Sequence, residues 1–373
     1  MMTLRKKENL YILFFICFTI YWFSTYILVL SNLNLKIFNM IVLGIGGISF
    51  TIYWFLNKFT KKEYIYQLIF AIILGIAYYM SGMENEGILT FFPALVCLNK
   101  ISIRKITKSM FYTLLICEVI MLILSVFNVI EYSFYTKIDD FGNKYNMLKI
   151  ANQHGNPHYI IIFDIISLYI YSYFKKFDIK KCIIIEIILI VFFFLFYSRT
   201  GIILGTIANV GSYVLKKKYE KGKITSKNHS IFNYSFLLFY LFVFIVGYFF
   251  HNTGFFTLLN KLISSRIKEA YIYFTYYGLT ILPRKITYNY ICDNTQTYML
   301  CSFGLAFTGL YIYLNDRAIR ILNKKGMKIE ILFIVLFLLY SYCEVTFVKP
   351  FSNFSSLFLI YALYKNREGV MDE

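Results

Sequence analysis

The sequence predicts an all-α polytopic integral membrane protein with about twelve transmembrane helices, on three observations. Hydrophobic residues make up 59% of the 373, mean hydropathy is +0.61, and the chain has only four prolines. Runs of Ile, Leu, Phe and Tyr recur at lengths near the roughly 20 residues that a helix needs to cross a bilayer. The 38 lysines and arginines, which carry the net charge to +18, gather between those runs and not within them. Such a composition excludes a water-soluble globule. So little lies outside the runs that residues 1–373 read as one transmembrane domain.

The first run, Leu10 to Leu30, is too long for a secretory signal, lacks a small-residue cleavage site, and reads as an uncleaved helix. Ile37 to Leu56 and Tyr66 to Met80 follow it. Ile88 to Leu98 is short and contains Pro93, so it either crosses or re-enters. The remaining runs are Met110 to Ile130, Tyr159 to Phe174, Cys182 to Tyr197, Thr200 to Leu215, Ile231 to Phe250, Thr297 to Leu314, Ile329 to Tyr342 and Asn353 to Tyr364.

Short cytoplasmic loops carry excess Lys and Arg. With the amino terminus inside and twelve crossings, both termini are cytoplasmic and most cations fall inside: Arg5 to Lys7, Lys58 to Lys62, Lys100 to Lys108, Lys175 to Lys181, Lys216 to Lys227, Arg317 to Lys328, and Lys365 with Arg367. The positive charge is therefore a topology signal and an attraction to anionic membrane lipids. Its scatter over seven segments argues against a nucleic-acid partner. Cysteine spacing suggests no metal, and Cys292, the one cysteine clearly in an outer loop, has no obvious disulfide partner.

Two loops on the outer face are longer than the rest, approximately 131–158 and 251–296. The second contains Ser264-Ser265-Arg266, the acid Glu269, an aromatic run from Tyr271 to Tyr277 suited to an amphipathic helix on the membrane surface, then Arg284 and Lys285. It ends in Asp293-Asn294, which leads to Tyr298. Ser198-Arg199-Thr200 adds an arginine between two apolar runs on the same side. At the edge of hydrocarbon such a residue anchors, pairs with an acid such as Asp164, or binds an anion.

Four features, in this order, resemble the bacterial polysaccharide polymerases of the O-antigen and capsule type, the Wzy-like polymerases and the related O-antigen ligases. They are Gly155-Asn156-Pro157-His158, Ser198-Arg199-Thr200-Gly201, Ser265-Arg266-Ile267, and Asp293-Asn294 followed by Tyr298 and Gly304; Glu344 also has a counterpart in many members. Many members read Gly-x-His-Pro-Asn at the first motif, so the order of imidazole and amide differs here.

The resemblance implies a metal-independent glycosyltransferase without cofactor in the bacterial cytoplasmic membrane. Its substrate would be an oligosaccharide linked through diphosphate to a polyprenyl (undecaprenyl-type) lipid, and a chain-length regulator is a possible partner. Charge develops on the departing diphosphate, and guanidinium groups match phosphate oxygens. Arg199 and Arg266 are the expected ligands. Asp293, His158 and Glu344 are candidate acids and bases, with Arg284, Lys285, Tyr298 and His154 as substrate contacts. Asp293 with Asn294 also suits a helix cap.

A rival reading is a lipid-linked oligosaccharide flippase or transporter, because Glu118, Asp164 and Glu186 fall inside apolar spans, where a carboxylate is expensive. A ligase shares the donor chemistry of the polymerase.

Overall fold

The computed structural model describes residues 4–27, 35–57, 59–82, 86–96, 101–138, 142, 144–150, 155–222, 231–286, 293–343 and 353–363. Among the described residues, about 80% are helical, and six helices are long and apolar enough to cross a membrane. The protein has the build of a helical membrane protein. Consistent with that, large apolar side chains line its outside: Phe55 and Phe194 are each 74% exposed, and Ile37 is 71% exposed. In a water-soluble domain a surface so continuously apolar would aggregate.

Helices α1 (Leu4–Ile27), α2 (Lys36–Leu56) and α3 (Lys61–Met80) form the first group. Gly46 of α2 lets α1 approach closely, since a Cβ there would lie 3.0 Å from Cys17 Cβ. Thr60 opens α3 with a capping box: its hydroxyl accepts from the Glu63 amide at 3.3 Å, and its own amide donates to Glu63 Oε2 at 2.7 Å.

The run from Ile88 to Leu98, open between a crossing and a re-entrant segment, holds two short helices, α4 (Glu86–Leu89) and α5 (Phe91–Val96). Together they rise roughly 16 Å at 1.5 Å per residue, against a bilayer core of about 30 Å. Their placement follows from neighbouring contacts. Lys7 Nζ donates to Leu56 O at 2.5 Å, so the end of α2 lies beside the start of α1. The next long helix, α6 (Ile103–Val126), starts at that same end, where Lys105 pairs with Glu8 at 3.0 Å. Between them, Tyr11 Oη donates to the carbonyls of Pro93 and Ala94, both at 2.8 Å. The chain thus returns to the Glu8 end through a broken segment.

After α6 comes an element that departs from the all-α expectation. Strands β1 (Tyr132–Ile138) and β2 (Lys144–Ile150) pair antiparallel, Tyr132 with Ile150 and Lys137 with Tyr145. A lone hairpin is marginal in water. This one is held by Met147 and Ile150, which are 0% and 1% exposed.

Helix α7 (Gly155–Ser172) is the centre of the molecule, with Tyr159, Phe163 and Tyr171 at 0–1% exposure. Against it pack α6, α8 (Ile179–Phe196), α9 (Arg199–Glu220) and α15 (Lys328–Tyr340), while α14 (Gly304–Lys324) joins α15 to α10 (Ser235–Phe249) and the short α16 (Ile360–Leu363). The segment expected as a second long loop holds α11 (Gly254–Leu262) and α12 (Arg266–Tyr277), and it leads to α13 (Thr295–Tyr298) and a π turn, Met299–Phe303. One face of the aromatic run packs inward, while Tyr276 on the other is 68% exposed. Ala270, Tyr273 and Phe274 of α12 are buried, and Gly247 of α10 gives them room: a Cβ there would be 2.9 Å from Ala270 Cβ.

Candidate functional site

Arg199 is the first residue of α9, separated from the end of α8 by the two residues Tyr197 and Ser198. Tyr197 makes that junction in the left-handed region (φ 46°), and its amide donates to Phe193 O at 2.7 Å. Ser198 then caps α9 by accepting from the Gly201 amide at 3.3 Å. Gly201 has no alternative, because a Cβ there would sit 2.2 Å from the Tyr159 ring. The position of Arg199 is thus dictated by backbone on both sides, and its Nη2 donates to Ser264 Oγ at 3.3 Å.

Arg266 sits at the corner between α11 and α12. Ser264 and Ser265 both have positive φ, 54° and 65°. The Ser265 amide reaches back to Asn260 O at 2.8 Å, while Asn260 Oδ1 accepts from the Lys268 amide at 3.0 Å. Two adjacent left-handed serines cost roughly 1–3 kcal/mol each, and such strain persists only where surrounding bonds enforce it. Arg266 leaves this corner 8% exposed, with Nη1 2.6 Å from Glu269 Oε1 and 2.9 Å from Asp293 Oδ2. Burial, with Asp293 adding to it, pushes the Glu269 carboxyl up to about 7 even though Arg266 pulls it the other way.

The two arginines, far apart in sequence, line one cleft. Its other walls are Tyr197, Ser198, Thr200, the Leu262–Ser264 turn, Cys343 and Lys137 from β1. The hairpin reaches this place because Tyr145 stacks on Tyr197, ring centroids 3.6 Å apart.

The other expected site residues fall elsewhere. Asp293 stands beside the site as a partner of Arg266, while Asn294 Oδ1 caps α13 by accepting from the Thr297 amide at 3.1 Å. His158 is 0% exposed and does not line the cleft: it stacks on Phe196, and its Nδ1 lies 3.6 Å from Glu118 Oε1. Arg284 donates to main-chain carbonyls, to Cys301 O at 3.2 Å, to Gly278 O at 3.0 Å and to Tyr277 O. It fastens the chain after α12 to the π turn. Lys285 lays its stem across Gly82 at the end of α3, 2.7 Å from where a Cβ would be. Tyr298 packs edge-on against Phe303 in the core. His154 and Glu344 lie outside the described residues.

Sequence reasoning assigned no role to Lys137 or Glu269. The signal for Glu269 was its i, i+3 spacing from Arg266 on a helix. For Lys137 it was the alternation in Tyr132–Ile138 and Lys144–Ile150 around Gly142. Among the described residues, no group of three or more His, Cys, Asp or Glu side chains is placed to hold a metal ion. Compared with protein-family models, curated proteins and solved structures, the chain matches none.

Proposed function

We propose that the protein is a surface-polysaccharide polymerase that transfers a growing glycan from a polyprenyl-diphosphate carrier to an incoming lipid-linked repeat unit. The observation that carries this reading is the cleft in which Arg199 and Arg266 meet, backed by Glu269 and Asp293. In the reaction, an acceptor hydroxyl attacks the anomeric carbon and a glycosidic bond forms. The bond from that carbon to the diphosphate oxygen breaks, and the electron pair leaves with the diphosphate. Arg199 and Arg266 offset the charge that develops there. The hydroxyl proton passes to a carboxylate of the Glu269 and Asp293 pair, of which Glu269 is tuned near neutrality.

Geometry supports the twelve-crossing layout in the membrane. The cleft residues come from the junctions after α6, α8, α10 and α15, and in that layout all four junctions face outward. The return of the chain through α4 and α5 to Glu8 supports counting the broken segment as a crossing. Outward is the side on which lipid-linked repeat units are presented to a polymerase.

The test is the lipid-linked pool and surface glycan of cells carrying Arg199→Ala. Single repeat units without a ladder, at normal protein level, are expected, with activity down roughly 100-fold or more and poor rescue by Arg199→Lys. A wild-type ladder would overturn the reading. The buried pair of Glu118 and His158, with Asp164 at 2% exposure, favours the flippase as second reading. In a deletion strain that reading predicts units trapped on the inner leaflet, whereas a ligase leaves full-length polymer on its carrier.

A further inference from the structure

The hairpin also borders a second hollow, which shares no lining residue with the arginine cleft. It opens where α6 ends and β1 begins, and its walls are Asn128, Glu131, Tyr132, Ser133 and Lys149. Among the described residues, none of these five side chains has a hydrogen-bond or ion-pair partner. An amide, a carboxylate, two hydroxyls and an ammonium therefore converge on one place and are left to water or to a ligand.

The walls are preset by backbone. Asn128 takes the left-handed conformation (φ 56°), its amide donating to Ser125 O at 3.0 Å, and the Val129 and Ile130 amides both reach Leu124 O. That turn ends α6 and satisfies its last carbonyls. Ile130, 2% exposed, pins the chain between Asn128 and Glu131. Ser133 pairs with Lys149 across the strands, which fixes the two on one face.

The lining decides the class of ligand. One carboxylate and one ammonium cancel, so the hollow has no net preference for an anion or a cation. Asn128 and Ser133 can each donate and accept, as the hydroxyls of a sugar do. The Tyr132 ring, on a residue 49% exposed, offers an apolar face of the kind that packs on the C–H face of a sugar. Depth agrees with this. Val126 ends a membrane-length helix, and Phe127 and Val129, 73% and 57% exposed, mark the edge of the hydrocarbon. Glu131 and Ser133 follow at once, so the hollow stands at headgroup level. Along β1, Ser133 shares a strand face with Lys137, which lines the cleft four residues and about 14 Å further on.

We propose that this hollow is a subsite for an uncharged sugar residue of the lipid-linked glycan. This rests on reading the cleft as the diphosphate site of a polysaccharide polymerase. A short oligosaccharide spans the distance between the two, so the ring bound here is not the one that reacts. It holds the chain in register with the cleft.

The test is isothermal titration of the purified full-length protein in neutral detergent with two probes, given separately. Inorganic pyrophosphate reports the cleft, and oligosaccharides released by mild acid from the surface glycan of the cells that make the protein report the subsite. Wild type is expected to bind both saturably, with oligosaccharide affinity unchanged as salt is raised, because an uncharged ligand is not screened. Tyr132→Ala and Lys149→Ala should each weaken oligosaccharide binding by about tenfold and leave pyrophosphate within about twofold of wild type. Lys144→Ala, which removes a cation at the other end of β2, should change neither. Thermal unfolding of each variant checks that the fold is retained. Wild-type oligosaccharide affinity in both Tyr132→Ala and Lys149→Ala, an equal loss in Lys144→Ala, or binding that falls with salt would overturn the subsite. Pyrophosphate binding without oligosaccharide binding would do the same and leave the cleft reading standing. Oligosaccharide binding that follows Tyr132 and Lys149, without pyrophosphate binding, would keep the subsite and overturn the cleft. Saturable binding of neither probe would overturn both.

Discussion

Arg266 and Arg284 belong to the same stretch between α10 and α13, and in sequence they are equivalent: cations with aromatic neighbours in a segment expected to face outward. Their acceptors differ. Arg266 is held by two carboxylates at the wall of a cleft, whereas Arg284 is held by the carbonyls of Tyr277, Gly278 and Cys301. A carboxylate can exchange its partner when it takes up a proton or when a competing anion arrives. A main-chain carbonyl does neither, so it fixes a cation as part of the scaffold. The partner of a buried arginine, more than its position, separates chemistry from construction.

The largest expected effect breaks the scaffold side of this comparison. Arg284→Ala strands three carbonyls, and at about 1–3 kcal/mol for each unsatisfied group it should cost ~3 kcal/mol or more, seen as loss of folded protein in thermal unfolding. If Arg284→Ala is as stable as wild type but inactive, the two arginines are alike after all. Gly304→Ala strikes the same strap more locally. With φ +70° and a Cβ placed 2.6 Å from Leu282 O, it should destabilise by about 2 kcal/mol, without changing pyrophosphate affinity in the fraction that folds.

On the cleft side, Glu269→Gln should remove a pH dependence. Folding raises this carboxyl from the ordinary 4.5 to about 7, so the folded chain holds the proton more tightly than the unfolded one. Stability from this group is full below about 4.5 and is lost as pH rises through 7. As proton acceptor, Glu269 gives activity that climbs over the same upper range, and the glutamine variant should be low and flat. A wild-type pH profile in Glu269→Gln would move the acceptor role to Asp293. Smallest is the stability effect of Asp293→Asn. The Asp293 side chain is 41% exposed, so water screens its pairing with Arg266 and the loss should stay below about 1 kcal/mol in chemical unfolding.

Much of the scaffold was legible because hydropathy acts locally. The runs starting at Ile37, Tyr66 and Met110 correspond to α2, α3 and α6. Breaks were harder. Neither the split at Thr90 nor the π turn before Gly304 follows from composition, since both depend on tertiary partners such as Tyr11 and the carbonyls of Thr280 and Ile281, which accept from the Leu305 and Ala306 amides. The hairpin was overlooked because a polar stretch between apolar runs reads as loop, although its alternation was present. At the site, Arg199 and Arg266 stood out by charge against an apolar background, and the structure brings them together. His158, in the first turn of α7, is buried against Phe196 and away from the cleft, a placement that the sequence does not show. For Arg284 the sequence shows a cation but not the carbonyls that hold it.

The cleft draws on positions from Lys137 to Cys343, spread over most of the chain. During synthesis the hairpin emerges before Tyr197 exists to receive it, and Arg199 waits for the α11–α12 corner that supplies Ser264. The last wall arrives only with the residues after α15. A chain that ends before the α11–α12 corner therefore carries Lys137 and Arg199 but no assembled charge cluster.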